Sequence, residues 1–350
     1  MIVPNEEQVS FDSEGLDGHE WKPSRRQRRA IEAWKGLNLS MFWQDVEHLL
    51  PFSHDGDWRV VVTSEGQPIA DDLENQFRTQ LTVALSRASW PVHHYPRQGL
   101  EEALDSFLGF VSQHMVVHGR IRFEVCYVQV TDLPEEYVDA LAETGGPTPV
   151  QQAALLIPLD EGSFRRFFKV YSQSAGRNAT GSATVRRVLP VRSVLVFRPP
   201  ASYRSHLRRA VRALRVDAKT SPLGIQMLEK AQQRGFSYEV KRHNDDQRLA
   251  LAQATARIGY TIRDSVLKDP TDPYRTYRQL RFRAFQVALR DNIIDDLNTF
   301  LANASHMFGG SFRLQLDGCI TAAEVKQLEN ELIAGTTQTH DIFRRALRGV

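Results

Sequence analysis

The chain has 350 residues, 41% apolar and 25% charged, a profile that excludes disordered and fibrous proteins and is long enough for two packed regions. No stretch approaches the roughly 18 consecutive apolar residues of a membrane-spanning helix, and Cys126 and Cys319 alone supply neither a disulfide framework nor a four-ligand zinc site. The net charge of +2 conceals a polarity: residues 1–160 carry 12 Lys/Arg against 25 Asp/Glu, and residues 161–350 carry 32 against 17. The extreme is 161–220, where 14 basic residues are opposed by Glu161 and Asp217. Such asymmetry points to partners of opposite sign, either nucleic acid or the acidic part of a neighbouring copy. The first residues, Met1 to Glu7, show no basic and apolar leader pattern, so the expected setting is reduced and intracellular.

In chain order, 1–24 is polar and reads as a mobile arm. The run Arg25-Arg26-Gln27-Arg28-Arg29 leads into a helical segment at Ala30 to Trp34. Trp58 to Thr63 is β-rich and ends near Gly66 and Pro68. Asp71 to Trp90 spaces Leu73, Phe77, Leu81, Leu85 and Ala88 by threes and fours, which predicts an amphipathic helix stopped by Pro91. A second helix is predicted from Leu100 to Val117, passing Gly119 into an alternating strand over 120–130. Strands follow at Ala154–Leu159, Phe164–Ser172 and Thr184–Phe197, the last two joined as a hairpin through Gly176 to Gly181.

After Pro199-Pro200 a basic helix is expected over Tyr203–Lys219, in which Arg204, Arg208, Arg212 and Arg215 share one face. A weakly amphipathic helix is read from Gln247 to Val266. Pro270 and Pro273 bracket a loop, and a long exposed helix runs from Tyr274 to Asn303 with an apolar stripe including Phe285, Leu289, Ile293 and Leu297. A strand at Phe312–Leu316 precedes the capping-box pattern Thr321-Ala322-Ala323-Glu324. The helix it opens ends at Gly335, and Thr339 starts a last one.

Chemistry-bearing motifs are sparse. There is no phosphate-cradling glycine loop and no nucleophile elbow. His114 and His118 stand four apart as two metal ligands would, but Met115 occupies the position where a zinc protease needs Glu. Asp291, Asp295 and Asp296 place carboxylates on one helical stretch, as a two-metal nuclease would, or form its solvated face. His93-His94 reads as a turn. No catalytic residue, metal or cofactor is expected.

The order of segments resembles that of tailed-bacteriophage portal (head–tail connector) proteins. The resemblance rests on the helix passing Gly119 into Phe123-Glu124-Val125-Cys126-Tyr127, then on Ala154-Leu155-Leu156-Ile157-Pro158-Leu159, the hairpin, and Val194-Leu195-Val196-Phe197. Ser205 to Leu214 takes the place of a short family helix. Ala256 to Leu301, with Tyr274, Phe285 and Leu289, resembles the family's helix, tunnel loop and long helix. Phe312 to Asp317 and Ile333 to Arg344 follow its closing strand and helices. The likeness spans roughly residues 100–350.

It implies an α+β, portal-like subunit divided into an N-terminal arm (1–24), a wing-type region (25–200), a stem with a reduced clip (201–266), a tunnel loop with the long helix (267–303), and a C-terminal wing- or crown-like part (304–350). Function, by the resemblance, is structural rather than enzymatic: a homo-oligomeric ring of on the order of twelve copies at one capsid vertex of a virion assembled in the host cytoplasm. Double-stranded DNA would pass without sequence readout, and the ring would meet the terminase motor, a neck or adaptor protein and the major capsid protein, with no membrane. Arg263, Lys268, Asp269, Thr271, Asp272 and Tyr274 would belong to the tunnel loop, and Arg204, Arg208, Arg212 and Arg215 to a stem or partner-docking face. A neck or minor capsid protein, or a nucleic-acid-binding or -processing protein using Arg25–Arg29, Arg204–Arg215 and the three aspartates, are the other readings.

Overall fold

The computed structural model describes residues 37–50, 58–64, 67, 69–86, 99–133, 135–143, 150–159, 164–167, 170–174, 186–214, 240–260 and 273–347. Its described α-helices of eight residues or more are α1 (Leu37–Glu47), α2 (Asp71–Ser86), α3 (Leu100–His118), α4 (Glu135–Ala142), α5 (204–214), α6 (Val240–Thr255), α7 (Pro273–Asn303), α8 (Ala322–Ala334) and α9 (Thr339–Leu347). The strands are β1 (Arg59–Ser64), β2 (Ile121–Gln129), β3 (Gln152–Leu159), β4 (Phe164–Phe167), β5 (Val170–Ser174), β6 (Arg186–Pro190), β7 (Val194–Phe197) and β8 (Phe312–Asp317). The class is α+β, with small antiparallel sheets ordered β1-β8, β3-β2-β7 and β4-β5-β6.

Local chemistry explains the principal junctions. At the end of α3, Gly119 adopts φ 75° and returns its N–H to the Met115 carbonyl at 2.8 Å. Without a Cβ it takes this left-handed turn freely and sends the chain into β2. The Thr321–Glu324 capping box forms in both directions and starts α8. The two strand prolines, Pro158 in β3 and Pro190 in β6, both lie on edge strands, where a missing donor removes no ladder bond.

Two expected strands prove to be four. The segment expected as one strand over Phe164–Ser172 is β4 and β5 paired to each other, and Thr184–Phe197 is interrupted at Val191–Ser193 by a 3-10 turn. Of that pair, β6 stays with β5 and β7 joins β2 in another sheet. The helix expected over Gln247–Val266 instead starts at Val240 and ends at Thr255, followed by a turn to Gly259.

The largest correction concerns α7. It is the buried spine of the fold, not an exposed helix. Phe285, Leu289, Ile293, Leu297 and Leu301 enter the main core, as expected of the stripe. Aromatic triads surround it: Phe107, Phe123 and Phe197 knit α3, β2 and β7 at centroid distances of 5.5–5.6 Å, while Phe42, Tyr260 and Phe282 join α1, the turn after α6, and α7. Such pairs add about 0.5–1.5 kcal/mol each beyond their burial.

The β1–β8 sheet joins segments more than 240 residues apart and would leave two edges of unpaired backbone. Side chains close both. On the β1 side, Arg78 Nη1 donates to the Val60 carbonyl at 3.0 Å and the Val60 N–H donates to Glu101 at 3.2 Å, with Arg78 and Glu101 themselves paired. Burial pushes the Glu101 carboxyl up, but the Arg78 hydrogen bond and charge outweigh it and hold the group low. On the β8 side, Asn298 of α7 accepts from the Leu314 N–H at 2.7 Å and donates to its carbonyl at 3.1 Å, imitating a neighbouring strand.

Candidate functional site

The basic helix expected over Tyr203–Lys219 is helical over 204–214, and residues 215–219 lie outside the described residues. Tyr203 closes a turn on the Pro200 carbonyl at 3.0 Å and its ring packs on Phe285 of α7, 5.2 Å between centroids. Leu207, Ala210, Val211 and Leu214 then bury one side of α5 in the core. The other side carries Arg208, Arg209 and Arg212, all exposed. Arg204 departs from that face: its Nε donates to the Pro199 carbonyl at 2.7 Å, and it lies in electrostatic range of Asp296. Arg209, which the spacing argument passed over, takes its place. Arg215 lies outside the described residues.

Beside α5, the three aspartates of α7 do not converge. Asp291 is held by Arg290 through Nε and Nη2, both at 2.9 Å. Asp295 is exposed. Asp296 accepts from Asn292 at 3.2 Å; burial, then the charge of Asp295, pushes its carboxyl up to about 6 against the pull of Asn292, Arg198 and Arg204. Among the described residues no three His, Cys, Asp or Glu side chains are grouped to hold a metal. His114 and His118 stack, with centroids 5.6 Å apart, and Phe110 covers His114 from the other side at 4.4 Å. Burial, reinforced by His118, lowers the His114 imidazole to about 4, so it is neutral at physiological pH.

Of the tunnel-loop residues, Tyr274 stands in the first turn of α7 and is 64% exposed. Arg263, Lys268, Asp269, Thr271 and Asp272 lie outside the described residues, as do His93-His94 and Arg25–Arg29. The segment 261–272 follows a well-anchored point. Gly259 (φ 75°) rests against the backbone of α7, where an added Cβ would lie under 3 Å from Arg278 O, Phe282 N and the Arg281 Cβ. There glycine is required by both its torsion and the close approach.

The polar side chains of α7 are the feature that sequence reasoning missed. Arg278, Gln286 and Arg290 are each less than 5% exposed. Arg278 donates to the Ala252 carbonyl at 3.0 Å, to Thr255 Oγ1 at 3.0 Å and to the Tyr260 carbonyl, so a cation meets the carbonyl end of α6. Gln286 donates to Asp45 O at 2.8 Å and His48 O at 3.1 Å at the end of α1. Arg290 reaches Ile320 O at 2.9 Å, and Asn292 reaches Arg198 O at 3.1 Å. One side chain per neighbouring segment ties that segment's carbonyls to the spine. The available signal was positional: these residues fall between the stripe's own apolar members, where a solvated face does not belong.

No family model matches the chain, and no curated protein matches it.

Proposed function

We propose that the chain is the repeating subunit of a phage-type portal ring, a structural virion component at one capsid vertex through which double-stranded DNA is packaged and ejected. The observation that carries this reading is the order of elements. A helix closes on a left-handed glycine into the central strand of a three-stranded sheet, a small sheet and a short basic helix follow, and 17 residues (256–272) then separate α6 from the long α7. A strand and two helices complete it.

The chemistry is compatible with a conduit. Phosphate contacts without base readout let a duplex slide, and each contact is weak and screened by salt. In this reading Arg263, Lys268, Asp269, Thr271, Asp272 and Tyr274 line the channel, and the α5 arginines face a neighbour, the terminase motor or an adaptor. Pro270 and Pro273 bar a continuous helix across 261–272.

Deletion of Asp269 to Asp272 tests the assignment. The expected outcome is intact rings in negative stain, with reduced packaging or retention of the genome. Mutant particles that fill and hold DNA normally would sink the tunnel-loop role, and the absence of rings from the wild-type protein would sink the portal reading itself.

A further inference from the structure

We propose that the arginine face of α5 docks on the acidic α1–α3 surface of a second copy of this chain, head to tail; the pairing rests on the ring reading and names the two surfaces that meet in it. Arg208, Arg209 and Arg212 are exposed and hold no ion pair with any described residue. Elsewhere Arg59, Arg78, Arg281, Arg290 and Arg345 each hold a carboxylate. The buried side of α5 fixes the helix backbone against the core, so three arginines are presented within little more than one turn from a rigid base. Guanidinium groups match carboxylates in geometry as well as in charge.

The complementary surface lies on α1 and α3. Glu102 and Asp105 are exposed one turn apart on α3. α1 packs alongside, held by the hydrogen bond of Ser112 Oγ to Val46 O at 3.3 Å and by the Gln113 contact with Glu47. This packing brings Glu47 into electrostatic range of Asp105 and Asp45 into range of Glu47: burial, opposed by His48 and reinforced by Asp45, pushes the Glu47 carboxyl up, and burial, opposed by His48 and reinforced by Glu47, pushes that of Asp105 up to about 6. His48 lies 3.8 Å from Glu47, and Arg78 is taken up by Glu101.

At 1.5 Å per residue the rise between Glu102 and Asp105 is about 4.5 Å and that between Arg208 and Arg212 about 6 Å, so two helices lying side by side can set one guanidinium against each carboxylate within side-chain reach. When each copy gives its basic surface to one neighbour and its acidic surface to another, the contact is heterologous, the type that forms a ring where the rotation closes. A nucleic acid duplex would satisfy the arginines but leave the acidic surface uncompensated, so the observations favour the second copy.

Sedimentation velocity at physiological salt tests the pairing with three variants: Arg208→Glu with Arg212→Glu, Glu102→Lys with Asp105→Lys, and all four together. All four positions are exposed, so the thermal melts of the variants should stay close to that of the wild type. Each double variant is expected to drop from a large assembly to a species the size of one chain. The fourfold variant, or an equal mixture of the two double variants, should recover the assembly. Double variants that assemble like the wild type, or a fourfold variant that stays a single chain, overturn the pairing and leave the ring reading standing. A wild type that sediments as a single chain overturns both. Loss of binding to a short random-sequence duplex by Arg208→Glu/Arg212→Glu, with assembly unchanged, would make nucleic acid the occupant and overturn the pairing.

Discussion

Helices α5 and α7 are both rich in arginine, yet they use it in opposite ways. In α7, Arg278 and Arg290 are buried and donate to carbonyls at the ends of other segments. In α5, Arg208, Arg209 and Arg212 are exposed, and the helix is held by Leu207, Ala210, Val211 and Leu214 instead. A guanidinium brings five donors to a buried site, so it can satisfy several orphan carbonyls at once, at the cost of desolvating its charge. On a surface the same group contributes little to stability and keeps its charge for a partner. Counting basic residues therefore finds both helices, and only burial separates the structural arginines from those available for binding.

That distinction is breakable, and the largest effect should come where α7 meets the end of α6. Gly259→Ala places a Cβ against backbone atoms of α7 in a left-handed conformation. It should cost more than about 3 kcal/mol, read as a lower urea midpoint or as failure to fold. Arg278→Met comes next: it removes the guanidinium donor from the Ala252 and Tyr260 carbonyls, leaving Tyr260 O with Thr255 Oγ1 alone, at a cost of about 1–3 kcal/mol in urea unfolding. A value near zero would show that the buried arginine is dispensable.

Asp296→Asn sharpens the comparison at the contact between the helices. The folded carboxyl titrates at about 6, above its ordinary value of 3.8. The folded state therefore binds the proton more tightly, and stability falls as pH rises through the window from about 4 to 6. Removing the charge should raise stability at pH 7 by up to about 1 kcal/mol, after allowance for solvent screening. The gain should disappear near pH 4, so thermal melts of the two proteins should converge as pH falls. The smallest stability effect belongs to α5: Arg208→Ala with Arg212→Ala should change stability by less than about 0.5 kcal/mol while weakening self-association. A large loss of stability from this pair would erase the distinction between the two helices.

Elements governed by local chemistry were legible in the sequence. The Thr321–Glu324 capping box and the Gly119 turn are set by residues within a few positions of one another. The β1–β8 pairing was not legible, because Arg59↔Asp317 to Ser64↔Phe312 bring together segments whose partners no local pattern names. The β4–β5 pairing was missed because Phe168 and Lys169, the two residues between the strands, are not turn formers. On α7 the apolar stripe was legible, but the arginines lying within it were passed over. Their role depends on which carbonyl ends pack alongside, and that is tertiary information. For the candidate docking face, periodicity selected Arg208 and Arg212; it passed over Arg209 and counted Arg204, whose Nε is held by the Pro199 carbonyl.

Native mass measurement of the purified full chain, without nucleic acid and at physiological ionic strength, tests the ring reading most directly. The account predicts one closed species at an integer multiple of 39.9 kDa, on the order of twelve copies, and its loss in Arg208→Glu/Arg212→Glu. A wild-type protein that stays at one or two chain masses at micromolar concentration would contradict it.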